Sequence, residues 1–382
     1  MKWGIVGNAR SGKAAEAYLK KMGQLTVLLD DNNGTLSPEA VQELDSLVLS
    51  PGVPRTHLAV QKAINLELPI LNEIDVAFPS LKDCRFVGIT GTNGKSTTTA
   101  LLGHLLRCVE PRTFIGGNLG KPLCEALTDD ESPRFAVLEL SSFQLETLFR
   151  LRLDVAILLN LTPDHLDRYP SAEAYYAVKR SIFKLLKPQG IRISGPFSGE
   201  GLRLPQTLLG AHNAQNACAA IQAARVLGLS NEAIQKGLDS FPGIAHRLEI
   251  LGTQHGVLWI NDSKATNVES TLAALSCFEK GLHLVLGGHG KGASYAPIVQ
   301  ASQNRVKQVY LIGEDAHTIQ QAFGEKDRRV LGCRTIEVAS EEIRKRAVSG
   351  DVVLLSPACA SYDQFRNFEH RGNRFRELFD GI

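Results

Sequence analysis

The chain has 382 residues, of which 43% are hydrophobic and 21% charged, and its 42 basic residues balance 40 acidic ones. The net charge of +2 excludes the strongly basic surface that nucleic-acid-binding proteins usually carry. The seven cysteines form no Cys-x-x-Cys pair, and no apolar run approaches the roughly 20 residues of a membrane span. We therefore expect a cytoplasmic protein of two or three domains, with free thiols, no nucleic-acid partner and no membrane insertion.

Residues 1–83 alternate predicted strands and helices. Strands are predicted at 3–6, 25–29 and 46–49, with a glycine turn at 7–12 and a helix at 13–22. This doubly wound pattern places ligands beyond the carboxyl ends of the strands. The turn lacks the G-x-G-x-x-G spacing of dinucleotide sites, so NAD binding is poorly supported. Asp30 and Asp31 end the second strand, either to contact a ribose or base or as surface residues.

Residues 85–107 read RFVGITGTNGKSTTTALLGHLLR, which predicts a strand, a glycine loop and a helix in that order. Loop amides and a helix N-terminus attract phosphate, a lysine adds positive charge, and a hydroxyl that follows it can bind Mg²⁺. The glycine spacing differs from that of the standard P-loop, so this is a variant phosphate cradle. The alternative is a tight turn with a lysine by chance. The predicted cradle residues are Gly91, Thr92, Asn93, Gly94, Lys95, Ser96 and Thr97.

Two further residues of the central region, Glu139 and His165, have polar side chains near the carboxyl ends of predicted strands, where a ligand would bind. Glu139 lies near the end of a predicted strand at 135–140, and a carboxylate there is costly to bury unless a cation meets it. His165 follows a predicted strand at 155–160, in a segment where Thr162 and Pro163 otherwise look like the start of a helix. The alternatives are an exposed edge position for Glu139 and a surface histidine.

Three later segments complete the central region. A helix is predicted at 175–186, in which Lys179 alone would pass for a solvated charge. Residues 190–209 are rich in Gly, Pro and Ser and are predicted to be a loop. An alanine-rich helix then begins near residue 211, with Asn213 and Asn216 on one face because they are three residues apart.

From residue 243 the chain alternates again, with strands predicted at 257–260, 283–286, 308–312 and 352–355. This pattern predicts a second open parallel sheet. Polar residues follow three of these strands, at 262–267, 287–291 and 356–361. Because loops carry much of a protein's function, we expect a binding face at this rim rather than a chance grouping.

Seven motifs occur in the order in which the Mur ligases carry them, and together they span nearly the whole chain. They are TGTNGKST, LELSSFQLE, LTPDHLDRYP, GAHNAQNA, the His246-Arg247 pair, DSKATN and LLSPACASYDQFRNFEHRGNRF. On these motifs the chain resembles that family. The resemblance implies an α/β fold of three domains. These are a Rossmann-like uridine-nucleotide domain at 1–83, a central P-loop ATPase domain with a parallel sheet at 84–242, and a C-terminal Rossmann-like amino-acid domain at 243–382.

The resemblance also implies a reaction. DSKATN favours the members that add D-glutamate to UDP-N-acetylmuramoyl-L-alanine in peptidoglycan biosynthesis. In that reaction the γ-phosphoryl group of ATP converts the substrate carboxylate into an acyl phosphate, and the amine of D-glutamate displaces the phosphate. The expected partners are therefore ATP, the nucleotide sugar and D-glutamate, with Mg²⁺ as cofactor, and we expect a monomer.

The residue roles that the resemblance implies fall into three groups and a metal site. The catalytic group is Lys95, Glu139, His165 and Lys179, and the metal ligands are Ser96, Glu139, His165 and Lys179 as a carbamate. Besides the cradle, the ATP-binding group contains Asn213, Asn216, Arg247, Asp262 and Lys264. The substrate-binding group is Ser11, Ser50, Pro51, Gly52, Asn118, Ser141, His165, Thr266, Lys291, Ser361 and Phe368. Of these, the residues expected to grip D-glutamate are Thr266, Lys291, Ser361 and Phe368.

The chain departs from the family pattern at two places. His289 stands where the family usually has Asp, which alters a contact that would orient Lys291, and the 190–209 segment is shorter than in typical members. Three alternative functions remain open from the sequence. They are a related ligase with another amino acid or carboxylate, as in folylpolyglutamate synthases, an NTPase or kinase that forms no amide, and a nucleotide-binding module without catalysis.

Overall fold

The computed structural model describes residues 1–118, 120–127, 132–166 and 168–381, and the chain divides into two compact units. The first unit contains residues 1–204 and 215–240, and the second contains residues 205–214 and 241–382. Each unit is built on parallel strands covered by helices, so the predicted α/β class is confirmed. The domain boundaries after residues 83 and 242 stay predictions.

The first unit begins with a four-stranded parallel sheet in the order β2-β1-β3-β4. Its elements are β1 (Lys2–Val6), α1 (Arg10–Lys21), β2 (Leu25–Leu29), β3 (Ser46–Leu49), α2 (Leu58–Asn65), β4 (Ile70–Leu71) and α3 (Glu73–Ala77). The turn between β1 and α1 requires glycine, because a Cβ on Gly12 would lie 2.0 Å from the carbonyl oxygen of Gly7. The strands and the helix predicted from the sequence here are confirmed.

A five-stranded parallel sheet follows in the same unit, in the order β6-β7-β5-β8-β9. Its elements are β5 (Arg85–Thr90), α4 (Lys95–Arg107), β6 (Thr113–Gly117), β7 (Phe135–Glu139), α5 (Ser142–Leu145), β8 (Leu153–Leu158), α6 (Ala172–Arg180) and β9 (Leu186–Ser194). Helices α7 (Ala211–Val226) and α8 (Asn231–Asp239) follow, and residues 211–214 of α7 are assigned to the second unit. Because β5 is the middle strand and is buried from residue 86 onward, it reads as an uninterrupted apolar run.

Three local predictions for this region are wrong. Residues 161–166 contain no helix, and the next helix begins at Ala172, where the Ser171 hydroxyl caps it by accepting the N–H of Ala174. That helix ends at Arg180 and a 3₁₀ turn (Ser181–Leu185) follows, so the predicted helix at 175–186 is too long. Residues 190–194 belong to β9 rather than to a loop. Strand β9 forms by pairing with β8, a tertiary contact that the local sequence does not show. Because β9 is an edge strand, it tolerates the Pro and Gly that made the segment look like a loop.

The second unit is a six-stranded sheet in the order β10-β11-β15-β12-β13-β14. Its elements are β10 (Glu249–Gln254), β11 (Val257–Asn261), α9 (Val268–Leu275), β12 (Leu282–Gly287), α10 (Ala296–Ser302), β13 (Val306–Ile312), α11 (Ala316–Phe323), β14 (Val330–Arg334), α12 (Ile336–Arg346), β15 (Val352–Leu355) and α13 (Phe368–Asp380). The four predicted strands are present, whereas β10 and β14 were not predicted. The prediction of a wholly parallel sheet is wrong at one edge, where β10 runs antiparallel to β11. His255 and Gly256, with φ of 51° and 78°, form the tight turn between them.

The hydrophobic core of the first unit continues from one sheet to the next, since a single buried cluster contains Ile5 of β1, Phe86 of β5 and Leu138 of β7. All seven cysteines are free, as predicted. Within the described residues, no helix has the length and apolar character that crossing a membrane requires.

Candidate active site

The loop at residues 91–94 joins the middle strand β5 to helix α4 and forms the predicted cradle. Gly94 has a φ of 86° and precedes α4 without any described side chain capping the helix. The first N–H groups of a helix need a partner, and an anion can supply it. A Cβ on Gly94 would also lie 2.0 Å from Oδ1 of Asn216, so both the backbone angle and the packing require glycine here.

Two lysine side chains donate hydrogen bonds to the same carbonyl oxygen of this loop. Lys95 donates from Nζ to the carbonyl oxygens of Gly91 and Thr92 at 2.9 and 2.8 Å, and Lys179 donates from Nζ to the same Gly91 oxygen at 2.9 Å. Lys179 is only 1% exposed, so its interpretation as a solvated charge is wrong. Burial, with the nearby charge of Lys95 second, lowers the pKa of Lys179 to about 7.

Glu139 ends β7 beside the cradle and is 2% exposed, so the alternative of an exposed edge position is wrong. Its Oε1 accepts a hydrogen bond of 2.6 Å from Nδ2 of Asn118, whereas no described residue bonds its buried Oε2. A buried carboxylate oxygen without a partner is costly unless a cation binds there. Among the residues that the structure describes, no group of three or more His, Cys, Asp or Glu side chains is gathered as a metal site. The fit to Mg²⁺ therefore depends on Glu139 together with the hydroxyl of Ser96.

Tyr175 connects His165 to Lys179, and the sequence did not single it out. The ring of Tyr175 lies 4.6 Å from Nζ of Lys179 and its centroid lies 5.9 Å from that of His165. The imidazole also packs 5.0 Å from the ring of Phe143, and the backbone of His165 has a φ of 53°. His165 is thus held at the rim of the cradle by aromatic contacts, with its side chain 44% exposed.

Asn160, just beyond β8, bonds to two residues of the cradle. Its backbone oxygen accepts the N–H of Thr92 at 3.0 Å, and its side-chain Oδ1 accepts the N–H of Asn93 at 2.9 Å. Both amides are thus bonded to Asn160 here, and their binding to phosphate stays a prediction. Asn160 is a residue that sequence reasoning missed, although its position at the end of the predicted strand beside the cradle was a usable signal.

The residues predicted to bind the nucleotide sugar lie near the first sheet and in the segments after β6 and β7. Ser11 is in the first turn of α1, another helix without a described side-chain cap. The Ser50 hydroxyl lies 3.4 Å from the carbonyl oxygen of Gly7, and the Pro51 carbonyl accepts a bond from Arg168 at 3.3 Å. Asp30 accepts the N–H groups of Asn32 and Asn8, which lower its pKa.

Of three other residues predicted to bind substrate, two have structural partners. Asn118 bonds to Glu139 through its backbone as well as its side chain, and the Ser141 hydroxyl caps α5 by accepting the N–H of Gln144. Gly52 lies in the turn after β3. The two contacts fix the ends of β6 and β7.

In the second unit, Asp262 is the buried acid at the end of β11. Its Oδ1 accepts the N–H of Leu248 at 3.1 Å and its Oδ2 accepts the hydroxyl of Ser356 at 2.8 Å. Burial raises its pKa to about 7. Leu248 and His246 have left-handed backbones, with φ of 44° and 62°, so Asp262 stabilises a strained turn that carries Arg247 between them.

Arg371 of α13 joins two of the predicted binding loops and was also missed from the sequence. It is fully buried, donates to the hydroxyl and carbonyl of Ser263 at 3.0 and 2.8 Å, and donates to the carbonyls of Cys359 and Ala360 at 3.1 and 3.4 Å. The motif FEHRGNRF contains it, but three arginines lie in this helix and the sequence does not show which of them is buried.

The other residues predicted in the second unit lie on this rim with different exposure. Lys264 has its Nζ 4.8 Å from the ring of Phe368, Ser361 is 2% exposed, Thr266 is half-buried and Lys291 is exposed. Asn213 donates to the carbonyl of Leu209 at 2.9 Å.

His289 is fixed to the neighbouring loop. Its backbone exchanges two hydrogen bonds with Ala360, at 2.9 and 3.0 Å, and its Nδ1 lies 2.8 Å from Oε2 of Glu314. That carboxylate raises the pKa of His289.

The predicted residues therefore form two groups. The first unit brings together Lys95, Ser96, Glu139, His165, Lys179 and Asn216 around the cradle, and the second unit brings together Asp262, Lys264, Ser361 and Phe368.

Comparisons with known proteins place this architecture in a family. A family model described as "Mur ligase middle domain" matches residues 89–197, and one described as "Mur ligase, glutamate ligase domain" matches residues 246–359. A UDP-N-acetylmuramoylalanine--D-glutamate ligase of Myxococcus xanthus is 40% identical over 447 aligned positions, which cover 99% of this chain and 98% of the relative. The chain belongs to the Mur ligase family.

Other Mur ligases extend the comparison. The enzyme of the same name from Anaeromyxobacter dehalogenans is 38% identical, with 98% of this chain and 96% of the relative covered. Among solved structures, the UDP-N-acetylmuramate-alanine ligase MurC of Thermotoga maritima has a TM-score of 0.64 at 17% identity and covers 100% of this chain and 99% of its own. MurF of Thermotoga maritima in complex with ADP has a TM-score of 0.60 at 18% identity, with 90% of each chain covered. These two likenesses show the shared fold.

Proposed function

We propose that this Mur ligase joins the amine of D-glutamate to the carboxylate of UDP-N-acetylmuramoyl-L-alanine and converts ATP to ADP and phosphate. The choice of substrates rests on the activity for which relatives up to 40% identical along almost the whole chain are named. The chemistry rests on one observation: a helix start without a described side-chain cap, beside two lysine side chains and a buried carboxylate oxygen that no described residue bonds. Such a set of groups suits a triphosphate and a divalent cation. The cytoplasmic location and the monomeric state stay predictions from the sequence.

The reaction needs ATP because a carboxylate is a poor acyl donor. Transfer of the γ-phosphoryl group to a carboxylate oxygen forms an acyl phosphate and releases ADP. The free amine of D-glutamate then attacks the acyl carbon, the tetrahedral intermediate expels phosphate, and loss of a proton from nitrogen leaves the amide. Lys95 and the first amides of α4 hold the phosphates and offset their charge, which is most of what such a transfer requires of a protein.

Lys179 is placed to become a carbamate. Because its pKa is about 7, about half of its amine is neutral at that pH and able to attack CO₂, forming an N–C bond and releasing one proton. The carbamate is an anion and is attracted to the ammonium group of Lys95, whereas the ammonium form of Lys179 is repelled by it. The carbamate, Ser96, Glu139 and His165 would hold Mg²⁺, which offsets the negative charge of the phosphates and the substrate carboxylate.

One assay of ADP release tests the proposal. The protein receives MgATP and UDP-N-acetylmuramoyl-L-alanine with D-glutamate, L-glutamate, D-aspartate or no amine. Release that requires D-glutamate supports it, and hydroxylamine in place of the amino acid should yield a hydroxamate from the acyl phosphate. Activity with L-glutamate alone overturns the assignment, and equal release without an amine favours an NTPase.

A matched pair of lysine variants tests the site. Lys95→Ala should lower kcat by about a thousandfold, because an electrostatic partner of the transferred phosphoryl group is worth several kcal/mol. Lys184→Ala removes an exposed lysine of the same unit and should leave kcat within about twofold of the parent, well under 1 kcal/mol.

The carbamate is tested separately. Lys179→Ala should be inactive and should regain part of its activity when short carboxylates are added to replace the lost anion. In the parent protein, removal of CO₂ should lower activity, and the loss should deepen as pH falls below about 7 because the amine becomes protonated. Full activity of Lys179→Ala, or no rescue by any short carboxylate, contradicts the carbamate.

A further inference from the structure

The segment at 160–162 lies against the cradle and is bonded to it through Asn160 and Thr162. The Thr92 hydroxyl donates to the carbonyl of Thr162 at 3.1 Å and accepts the N–H of Thr162 at 3.1 Å. Asn160 accepts the N–H groups of Thr92 and Asn93 and donates from Nδ2 to the carbonyl of Asn93 at 3.0 Å. The loop is therefore held by a neighbouring strand end before any nucleotide binds.

The side chain of Asn160 makes a contact that requires a hydrogen-bond donor and an acceptor on the same group. Its amide accepts from the N–H of Asn93 and donates to the C=O of the same residue, which needs an acceptor and a donor on one planar group. Aspartate keeps the acceptor and loses the donor, whereas alanine loses both. The pair is thus specific to a carboxamide.

Holding the Asn93 carbonyl also sets the direction of the next amide. In a trans peptide the N–H points opposite to the C=O, so a carbonyl turned toward Asn160 directs the Gly94 N–H away from it. Gly94 starts α4 with a left-handed backbone and no described side-chain cap. Its N–H is therefore among those left for a phosphate once Asn160 has taken those of Thr92 and Asn93.

We infer that Asn160 is a positioning residue for ATP: its carboxamide fixes the peptide between Asn93 and Gly94 so that the Gly94 N–H is presented to the phosphates. The inference deepens the proposed function and rests on it for the identity of the ligand. Asn160 is solvent-exposed, so its two bonds contribute by ordering the loop rather than by burying polar groups.

Three variants separate this role from a general effect on folding. Asn160→Asp retains the shape but puts a carboxylate against the Asn93 carbonyl, Asn160→Ala removes the clamp without adding charge, and Asn231→Asp makes the same chemical change at an exposed position of the same unit. The readouts are the KM values for ATP and for the nucleotide sugar, the Kd for MgATP, and hydrogen exchange at the Gly94 amide in the MgATP complex, where the phosphates would protect it.

We expect Asn160→Asp to raise the KM for ATP by about tenfold or more and Asn160→Ala by about three- to tenfold, the size of one or two net hydrogen bonds. Exchange at Gly94 should be faster in both, the KM for the nucleotide sugar should be unchanged, and Asn231→Asp should match the parent. An equal rise in both KM values, or an unchanged KM for ATP in Asn160→Asp, overturns the inference.

The two proposals fail in distinguishable ways. If the parent protein binds MgATP but ligates no amino acid, the proposed function fails, and the Kd for MgATP in the variants still decides the role of Asn160. If ligation proceeds and neither variant changes the Kd for MgATP or the exchange at Gly94, the role of Asn160 is wrong and the proposed function stands.

Discussion

The strand ends of the central sheet and those of the C-terminal sheet differ in how completely the protein satisfies their buried charges. At the central sheet, Glu139 has a buried oxygen that no described residue bonds, and Lys95 and Lys179 share one carbonyl. At the C-terminal sheet, both oxygens of Asp262 accept hydrogen bonds, and every nitrogen of the Arg371 guanidinium has an acceptor.

This difference indicates two ways in which buried charge is used. A buried charge without hydrogen-bond partners lowers the stability of the fold, and it is found where a bound ligand supplies the missing partner. A satisfied charge inside a network fixes the geometry of loops and needs no ligand. The central rim therefore suits the proposed binding of phosphates, whereas the buried charges of the C-terminal rim hold the shape of its loops.

The largest expected effect is at Glu139. Glu139→Gln should lower kcat by about a thousandfold, because a metal-binding charge contributes several kcal/mol to the transition state. The free energy of unfolding should stay the same or rise, since an isolated buried charge is removed. Kinetics over a range of Mg²⁺ concentrations and urea unfolding measure both, with Glu67→Gln, at an exposed position of the same unit, as control. A large fall in stability with little change in kcat would show that the charge of Glu139 serves the fold rather than a ligand, as the charges of the C-terminal rim do.

Next is Arg371, where stability should suffer. Arg371→Leu leaves the carbonyls of Cys359 and Ala360 and the hydroxyl of Ser263 without their donor, which should lower the free energy of unfolding by about 3 kcal/mol. Arg328→Ala removes an exposed arginine of the same unit and should change it by less than about 0.5 kcal/mol. Equal urea midpoints for the two variants would contradict the role of Arg371 as the centre of a closed network.

A smaller effect is expected at Asp262, and it depends on pH. The folded pKa of about 7 lies above the usual 3.8, so the folded state holds the proton more tightly. The contribution of this group to stability therefore falls as pH rises from about 4 to about 7. Asp262→Asn should flatten that slope and raise the free energy of unfolding at pH 8 by about 1–2 kcal/mol.

Unfolding curves from pH 4 to pH 8 test this expectation. Part of the pH dependence of the unfolding free energy should remain in Asp262→Asn. Glu73 in the first unit contributes it, because burial raises the pKa of Glu73 to about 7 as well. A slope identical to that of the parent would show that Asp262 is not the titrating group.

The smallest effect is expected at His289, whose pair with Glu314 is largely exposed. His289→Ala should leave the urea midpoint unchanged within the error of the measurement, since exposed ion pairs are screened by water. The KM for D-glutamate should rise by less than about threefold at pH 7, because the Ala360 backbone still holds the loop. A tenfold rise would show that the imidazole, rather than the backbone, orients Lys291.

Features that depend on neighbouring residues in the chain were predictable. The strand before the cradle, the Gly94 turn and the helix after it follow from an apolar run, a glycine and a change of periodicity within residues 85–107. The catalytic set around Lys95 came from ordered motifs and a family resemblance. In both cases the information is local in sequence.

Features that depend on tertiary partners were not predictable from the sequence. Residues 190–194 form a strand only because β8 offers an edge, and Arg371 looks like any charged helix residue until its burial is known. Asn160 lies at a predicted strand end, but the two hydrogen bonds with Asn93 need the loop beside it.

The close approach of Gly94 and Asn216 restricts which substitutions the chain can accept at these two positions. A methyl group at position 94 would collide with the carboxamide at position 216, so any side chain at position 94 requires a shorter residue at position 216. Asn216 is one of the residues predicted to bind ATP. A substitution of this cradle glycine would therefore also remove a second side chain that is predicted to bind the nucleotide.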